Sequence, residues 1–180
     1  MSQPGKVLPC FFFCGCIHGM DALTPEVKQA LEDLLGGIDS QSGLIPFQET
    51  DHYRAEMGTD LSRTFFIREE LRYDPEKLVE LKLKAWEIEK TFSSEGRRLI
   101  NLDPGYLNAH QVVIATFKNF THRIYLGRGV FAHMEYVFKS GNPVPLRWTY
   151  PDFRRDDYRE FFRTERGRYK KKWEVQDLNL

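Results

Sequence analysis

Residues 101–129 bring together several side chains that can bind an anion or transfer a proton. These candidates are Asp103, Tyr106, Lys118, His122 and Arg123. Lysine, arginine and histidine pair with anions, and a carboxylate or an imidazole can act as a general acid or base. The pattern therefore indicates a site for a small anionic or phosphorylated ligand, with catalysis as one use of it.

A second polar cluster lies in residues 50–58, TDHYRAEMG. If this segment forms a turn, Thr50, Tyr53 and Glu56 can reach a neighbouring strand. His52 and Glu56 are four residues apart, so on a helix they would share a face and could ligate a metal ion. The same spacing is typical of an ordinary surface pair, and the sequence predicts no metal site here.

We predict that the two clusters form one site. Its candidate catalytic groups are Asp103, His122 and Glu56. Its candidate ligand-binding groups are Thr50, Tyr53, Arg97, Tyr106, Lys118 and Arg123. A buried network of hydrogen bonds and ion pairs that only stabilises the fold would use the same residue types. The sequence leaves both interpretations open, and it identifies neither a cofactor nor an oligomeric state.

Hydrophobic periodicity predicts the elements that must position these groups. The first part of the chain is predicted as strand, helix, strand, strand, helix and strand, over residues 11–17, 24–35, 44–47, 63–69, 74–92 and 97–102. This order is typical of the split βαβ pattern of a ferredoxin-like sandwich. A third helix follows, then a strand over 121–126, a hairpin of residues 130–138 and 144–148, and a helix over 156–173. The predicted fold class is therefore α+β, a ferredoxin-like split βαβ core with an added helix, a β-hairpin and a C-terminal helix.

Local signals within residues 101–129 shape this prediction. Asp103-Pro104-Gly105 is typical of a turn, because proline presets φ at the second position and glycine tolerates positive φ at the next. Asn108 can then cap a short helix that includes residues 112–116. Gly127-Arg128-Gly129 predicts a hairpin turn.

The composition is that of a globular protein without a membrane span. Of the 180 residues, 41% are hydrophobic and 14% aromatic, and we expect one domain over residues 1–180 with a basic, aromatic helical extension at about 153–175. No apolar run approaches the roughly 20 residues of a transmembrane helix. Only Lys6 precedes the first apolar segment, so we predict no signal peptide and expect a cytoplasmic protein.

Three cysteines, Cys10, Cys14 and Cys16, lie on one face of the first predicted strand by its period of two. Their odd number argues against a disulfide framework. Their spacing also lacks the paired Cys-x-x-Cys of a zinc site. We therefore interpret them as core packing.

Charge is divided unevenly along a chain whose net charge is zero. Residues 1–96 contain 10 Lys and Arg against 17 Asp and Glu, and residues 97–180 contain 16 against 9. The basic half could attract an anionic partner, or the two halves could attract each other. The C-terminal helix mixes basic and aromatic residues, which suits RNA, but a helix that packs its aromatic side on a core has the same pattern. An RNA- or protein-binding module and a scaffold without ligand are thus the alternatives to a small-molecule site.

Five sequence blocks, in order, resemble a known family. They are Thr50 with Tyr53, Glu56, Met57 and Gly58; Asn101 with DPGYL at residues 103–107; Ala115, Thr116 and Lys118; HRIYL at residues 122–126 with Gly127 and Gly129; and WTYPD at residues 148–152. Together they cover nearly the whole chain and are similar to the bacterial family of unknown function number 4416. The resemblance implies a family but no chemistry, because the family is uncharacterised.

Some members of that family carry an automatic label of GTP-binding protein. A P-loop needs a glycine-rich loop ending in Gly-Lys-Ser/Thr, whose backbone N–H groups and lysine hold the phosphates. Neither this string nor the guanine-reading Asn-Lys-x-Asp string occurs in the chain. The sequence therefore argues against a conventional P-loop GTPase.

Overall fold

The computed structural model describes residues 3–48, 52–94 and 96–177. The helices are α1 (Pro25–Leu35), α2 (His52–Met57), α3 (Leu78–Thr91) and α4 (Asp156–Asp177). The strands are β1 (Cys10–His18), β2 (Ser40–Gln41), β3 (Ile45–Pro46), β4 (Ser62–Arg72), β5 (Ser93–Ser94), β6 (Arg97–Arg98), β7 (Ile100–Leu107), β8 (Gln111–Thr116), β9 (Ile124–Gly127), β10 (Val130–Lys139) and β11 (Asn142–Pro145). Short 3₁₀ turns at Pro75–Lys77 and Asp152–Arg154 precede α3 and α4.

One large antiparallel sheet organises these elements. Its strand order is β11-β10-β8-β7-β1-β4-β2, with β3 also paired to β4 and β9 also paired to β10. Each of these pairings is antiparallel. The short strands β5 and β6 form a separate hairpin between α3 and β7.

Helices cover both faces of the sheet. The cysteines and Phe12 of β1 pack with side chains of α1 and α3, while Phe11 and Phe13 pack with side chains of α4. All nine residues of β1 are buried, as is typical of a strand covered on both faces. None of the described helices has the length and apolar character needed to cross a membrane.

The helices begin and end where their sequences predict. Thr24 Oγ1 accepts a hydrogen bond from the backbone N–H of Val27 (3.4 Å), Pro25 occupies the first turn, and Gly36 ends α1 at φ 76°. In α4, the side chains of Phe162 and Tyr169 are fully buried against the sheet. The predicted helices at the two ends of the chain are therefore confirmed.

The mixed α+β class is confirmed, but the ferredoxin-like split βαβ core is not. In a split βαβ unit an antiparallel strand lies between the two parallel strands, so antiparallel neighbours alone neither establish nor exclude it. Here β1 pairs antiparallel with β4 on one side and antiparallel with β7 on the other. The structure shows one continuous antiparallel sheet with β1 near its middle, which β8, β10 and β11 extend beyond β7.

The helix predicted after Asn108 is wrong, because residues 111–116 form strand β8. Four of its six residues, Val112, Val113, Ile114 and Thr116, are β-branched and pack well on a pleated surface. The Asn108 side chain does cap backbone groups, accepting from the N–H of His110 (2.9 Å) and of Gln111 (3.1 Å). It closes the tight β7–β8 turn rather than a helix.

The turn predicted at Asp103-Pro104-Gly105 is also wrong, because these residues lie inside strand β7. β7 pairs with β1 from Ile100 to Leu107, but with β8 only from Gly105 to Leu107. Before Gly105 the outer side of β7 is therefore a free edge, and proline is tolerated at edges because it has no N–H to donate. The signal for a turn marks the point where two strands part.

The remaining predicted elements have shifted ends. β4 and β10 extend beyond the predicted residues 63–69 and 130–138, and β11 is Asn142–Pro145 instead of 144–148. The strand predicted from residue 121 begins only at Ile124, because a turn closed by the Arg123 N–H and the Phe120 carbonyl (3.0 Å) precedes it. The hairpin turn at Gly127-Arg128-Gly129 is confirmed, with Arg128 at φ 53°.

Gly105 allows the last close contact between β7 and β8. A Cβ atom there would lie 2.4 Å from the carbonyl oxygen of Val113 and 2.5 Å from the ring of Phe13. We expect Gly105→Ala to lower the free energy of unfolding by about 1–3 kcal/mol or more, since backbone must move to admit a methyl group. Urea unfolding monitored by circular dichroism measures this change.

Gly43→Ala is the matched control, because a Cβ at Gly43 would meet no atom within 4 Å. Its free energy of unfolding should stay within about 0.5 kcal/mol of the parent value, as for most surface changes. Equal stability of the two variants would show that the strands do not approach closely at Gly105.

Candidate functional site

A cavity of about 560 Å³ opens where β7 and β8 part. Residues of β7 and β8 form two of its walls, α3 forms a third, and the segment 150–152 closes it from the α4 side. Asn101 and Asp103 reach it from β7, and Ala115 and Thr116 reach it from β8. The cavity is thus a direct consequence of the break in the strand pairing.

Arg63 forms the charged floor of this cavity. Its Nη2 atom lies 3.1 Å from Asp103 Oδ2 and 3.2 Å from Asp152 Oδ2. Arg63 is on β4 and Asp103 is on β7, so the pair meets across the intervening strand β1. Gly15 of β1 pairs with Asp103 on one side and with Phe65 on the other, and Arg63 pairs with Ile17 two residues along. A Cβ at Gly15 would lie 3.0 Å from the ring of Phe65 and 3.4 Å from Arg63 Nη1, so the glycine gives this ring space beside the guanidinium.

Aromatic rings surround the Arg63 guanidinium. The rings of Phe47, Phe65, Phe153 and Tyr158 have their centroids 5.3–5.9 Å from its Cζ atom. Burial acts to lower the pKa of Arg63, but the nearby Asp152 and Asp103 more than offset it, so the pKa is raised and the cation persists. Burial also raises the pKa of Asp152, against the charge of Arg63. Arg63 is therefore a desolvated cation held by two carboxylates and by ring faces.

Two side chains of α3 satisfy the free edge of β7. Lys82 Nζ donates to the carbonyl oxygen of Leu102 (2.8 Å), and the N–H of Leu102 donates to Glu89 Oε1 (2.6 Å). These backbone groups point away from β1, towards the place that β8 would occupy if the pairing continued. Lys82 also lies 3.7 Å from Asp103 Oδ1, and burial raises the pKa of Glu89. The pair fixes α3 to the edge and lines the cavity at the same time.

Arg98 connects this wall to α2. Its Nη2 and Nε atoms donate to Glu56 Oε2 (2.5 and 2.8 Å), and its Nη1 donates to Asn101 Oδ1 (3.0 Å). Asn101 Nδ2 in turn donates to Asp103 Oδ2 (3.1 Å). The guanidinium of Arg98 also lies 5.7 Å from the ring centroid of Tyr53. A hydrogen-bonded chain thus runs from Glu56 to the floor of the cavity.

Arg123 and Lys118 lie on the β8 side of the cavity. Arg123 donates to three neutral groups, the carbonyl of Lys118 (2.7 Å), His133 Nδ1 (3.1 Å) and the hydroxyl of Tyr150 (2.6 Å). The Lys118 side chain is exposed, and no described residue forms an ion pair with it. The orientation of Arg123 is therefore fixed without neutralising its charge.

His133 and Glu135 form a fully buried pair beside the cavity. Because Arg123 always donates, His133 Nδ1 is an acceptor, and the neutral ring carries its proton on Nε2. That Nε2 lies 3.2 Å from Glu135 Oε1, although poor alignment prevents a proper hydrogen bond. His122 Nε2 lies 3.0 Å from the same Nδ1 and must then be the donor. Burial first, and the charge of Arg123 second, lower the pKa of His133 to about 4.

The structure brings four of the predicted site residues to one cavity. Tyr53, Asp103, Lys118 and Arg123 all line it. Glu56 lies one contact away, through its ion pair with Arg98. The two clusters that the sequence singled out therefore meet, and their combined use as a site stays a prediction.

Other predicted site residues lie outside the cavity. Arg97 is exposed, and its neighbour Arg98 lines the cavity instead. Tyr106 packs on the α1/α3 side and accepts from Gln111 Nε2 (3.1 Å). His122 stacks on Trp148, with ring centroids 5.2 Å apart. Thr50 falls outside the described residues.

Sequence reasoning missed Arg63, Lys82, Glu89 and Asp152. Lys82 and Glu89 had a readable signal, since both lie on the helix face that Leu78 and Ala85 bury. A lysine and a glutamate within an apolar stripe predict a buried polar contact. Arg63 gave no such signal, because a strand end is an ordinary place for arginine.

The cysteines lie in the core, as predicted. All three are buried and carry free thiols, and burial raises the pKa of Cys10 to about 12. Within residues 3–48, 52–94 and 96–177, no three His, Cys, Asp or Glu side chains come together as a metal site. The structure does not describe the side chain of His52 in α2.

Arg63 should be among the most destabilising positions to change. We expect Arg63→Met to lower the free energy of unfolding by about 3–5 kcal/mol, because the buried Asp152 and the partly buried Asp103 lose their cation. Arg68→Met on the same strand removes an exposed ion pair with Asp39 and should cost less than about 1 kcal/mol. Chemical unfolding of both variants measures the difference.

A second substitution tests the cause. Adding Asp152→Asn to Arg63→Met should restore part of the lost stability, since one uncompensated carboxylate disappears. If Arg63→Met were as stable as Arg68→Met, the buried charge cluster would have no structural role.

The low pKa of His133 predicts a pH dependence of stability. An unfolded histidine has a pKa near 6.5, so as the pH falls the unfolded chain binds the proton before the folded one. The stability from neutral His133 is complete above pH 6.5 and is lost progressively down to about pH 4. With 1.36 kcal/mol per pKa unit, the loss approaches about 3 kcal/mol.

His133→Asn keeps an acceptor for Arg123 and removes the titration. Urea unfolding at pH 7 and pH 4.5 should therefore show a smaller loss of stability in this variant than in the parent chain. His110→Asn, at an exposed histidine, should leave the parent pH dependence unchanged. Identical pH dependence in the parent and in His133→Asn would rule out a neutral buried His133.

Among comparisons with known proteins, a match to one family model covers most of the chain. No curated protein and no solved structure matches it. The family model described as "Domain of unknown function (DUF4416)" matches residues 9–169, an interval that runs from just before β1 into α4 and contains all the residues of the cavity. The chain therefore belongs to the DUF4416 family, the uncharacterised family that its sequence blocks resemble.

Proposed function

We propose that the cavity binds a small anionic molecule through Lys118 and Arg123. The observation that supports this is the pairing of the lining cations. Arg63, Lys82, Lys90 and Arg98 each lie within 4 Å of a carboxylate. Lys118 and Arg123 have no carboxylate partner in the described part of the chain. They are the positive charges still available to a ligand.

The charge balance of the lining favours the same class of ligand. Six lining residues are Lys or Arg and three are Asp or Glu, a formal excess of three positive charges. An anion that enters the cavity therefore meets a net positive field.

Other groups that line the cavity suit hydroxyl groups and apolar parts of a ligand. Asp103 Oδ2 accepts from Arg63 and Asn101, while in the described part of the chain the nearest cation to Asp103 Oδ1 is Lys82, at 3.7 Å. Asp103 Oδ1 is thus the acceptor for a ligand hydroxyl or amine. The exposed rings of Trp86 and Phe117, 6.1 Å apart, offer apolar contact at the edge of the cavity. A phosphorylated or carboxylated molecule with hydroxyl groups satisfies both kinds of group.

The residues that the sequence singled out for catalysis take binding or supporting roles in this proposal. Asp103 orients the ligand. Glu56 holds Arg98, and His122 contacts the His133 ring that positions Arg123. We assign no reaction to the site and no phosphate-binding loop to it.

A purely structural role accounts well for the floor of the cavity and poorly for its β8 side. Arg63, Lys82 and Glu89 have partners that the fold itself requires. The exposed ammonium of Lys118 stabilises nothing that the structure describes. The proposal therefore depends on Lys118 and Arg123 rather than on the buried network.

A ligand screen followed by substitution tests the proposal. Thermal shift against nucleotides, sugar phosphates and polycarboxylates should find a compound that raises the melting temperature, since a ligand at 100 times its dissociation constant adds roughly 2.7 kcal/mol. Calorimetric titration should then show a dissociation constant raised by about tenfold or more in Lys118→Ala, because a charge-assisted hydrogen bond is worth about 1.5–3 kcal/mol. Unliganded Lys118→Ala should be as stable as the parent chain, since the side chain is exposed.

Lys84→Ala provides the control, because Lys84 is an exposed lysine of α3 that does not line this cavity. It should bind the compound as the parent chain does. The proposal fails if no compound of these classes binds, or if Lys118→Ala and Lys84→Ala bind equally well.

A further inference from the structure

The chain between Asp103 and Asp152 is almost free of acidic residues. It contains five Lys and Arg but only one acid, Glu135, and that side chain is fully buried. Three of the basic residues, Lys118, Arg128 and Arg147, are exposed and form no ion pair with a described residue. Arg128 lines a groove together with Asp33 and Glu87, so its charge has acidic neighbours, which leaves Lys118 and Arg147 as exposed cations of this stretch.

Exposed aromatic rings lie among these charges. Phe120 is 63% exposed, Tyr125 is 61% exposed and Trp148 is 40% exposed. Trp148 stacks on His122 at 5.2 Å with an interplanar angle of 13°, and Phe120 lies 5.4 Å from the same imidazole. Phe120, His122 and Trp148 therefore form one group of rings at the loop 117–123.

We propose that this surface binds single-stranded nucleic acid. We call it the basic aromatic surface, and it consists of Lys118, Phe120, Arg147 and Trp148. Lysine and arginine neutralise phosphates, and exposed aromatic rings stack on bases, which a duplex would keep paired and stacked inside. Both halves of this chemistry occur within one exposed surface.

A second copy of the chain is the wrong occupant on grounds of charge. Two such surfaces facing each other would bring like charges together with no acidic residue on either side. The surface attracts an anionic polymer instead. A polymer that carries bases can also stack them on the exposed rings, which a polyanion without bases cannot do.

The C-terminal helix is a poorer nucleic-acid site than its sequence indicates. Its aromatic residues Tyr158, Phe162 and Tyr169 are fully buried in the core and cannot stack on bases. Its basic residues are largely paired, as Arg163 is with Glu160 and Arg168 is with Glu165. Exposed aromatic rings and unpaired positive charges do not occur together on α4, but they do on the basic aromatic surface.

Fluorescence anisotropy with labelled 12-nucleotide RNA and DNA of the same mixed sequence tests the proposal on the full chain. The parent protein should bind at least one of the two, and the better ligand identifies the sugar. Phe120→Ala and Trp148→Ala should each raise the dissociation constant roughly five-fold or more, since stacking is worth about 1–3 kcal/mol per base. Arg147→Ala should reduce the slope of log K against log salt by about 0.7.

Matched controls come from the same chain. Tyr73→Ala removes an exposed aromatic side chain elsewhere, and Lys171→Ala removes an exposed lysine of α4. Neither should change binding by more than about two-fold, because neither belongs to the basic aromatic surface. Trp148 Nε1 also donates a hydrogen bond to the backbone carbonyl of Met134 (3.0 Å), so its loss can lower stability. Urea unfolding of Trp148→Ala and Phe120→Ala therefore separates an effect on stability from an effect on binding.

The proposal is overturned if neither oligonucleotide binds. It is also overturned if Lys171→Ala weakens binding as much as Phe120→Ala does, or if a base-free polyphosphate of equal charge competes as well as the oligonucleotide. Phe120 and Trp148 do not line the cavity, so their variants should still bind a small anion. A failure of either proposal is thus distinguishable from a failure of the other.

Discussion

The parting of β7 from β8 after three paired residues is the constraint on which the rest of the structure depends. It leaves the N–H and carbonyl of Leu102 at a free edge, where unsatisfied backbone groups would be costly. Lys82 and Glu89 of α3 satisfy both groups, and this requires a lysine and a glutamate on the buried face of a helix. The same parting opens the cavity. The polar residues of α3 and the existence of a cavity are therefore two results of one break in the strand pairing.

The buried charge of Arg63 is the second requirement, and it accounts for several neighbouring residues. A guanidinium excluded from water needs counter-charges and ring faces, and Asp103, Asp152 and the surrounding aromatic residues supply them. Gly15 lies beside this pair, and a Cβ there would press on the ring of Phe65 that flanks the guanidinium. Such a cluster holds β4, β7 and the 150–152 segment in one arrangement, so the cavity they line has a fixed shape. The ligand-binding groups on the β8 side are positioned against this rigid floor.

Sequence reasoning predicted what depends on neighbours in the chain and missed what depends on distant contacts. The cap of α1 and the stripe of α4 are local, and both were correct. Asp103-Pro104-Gly105 has the local chemistry of a turn, and only the position of β8 shows that it is a strand leaving its partner. Arg97 and Arg98 are equivalent in sequence. Successive side chains of β6 point to opposite sides, and this decides that Arg98 faces the cavity. Tyr53, Asp103, Lys118 and Arg123 were found because residue type alone selects them, whereas Arg63 required knowing that Gly15 lies beside it.

The distribution of charge illustrates the same distinction. Counting residues by halves makes the C-terminal half basic, and the most basic run within it is in α4. Ion pairs along α4, such as those of Arg159 and Arg163 with acids three residues before them, cancel much of that charge locally. The stretch that contains β8, β9 and β10 has fewer basic residues, but its single acid is buried beside His133. The field at a protein surface follows the uncompensated charges and falls off within about 8–10 Å in physiological salt. Exposed Lys118 and Arg147 of this stretch form no ion pair in the described part of the chain, and Lys118 also lines the β8 side of the cavity, where it can attract an anionic partner.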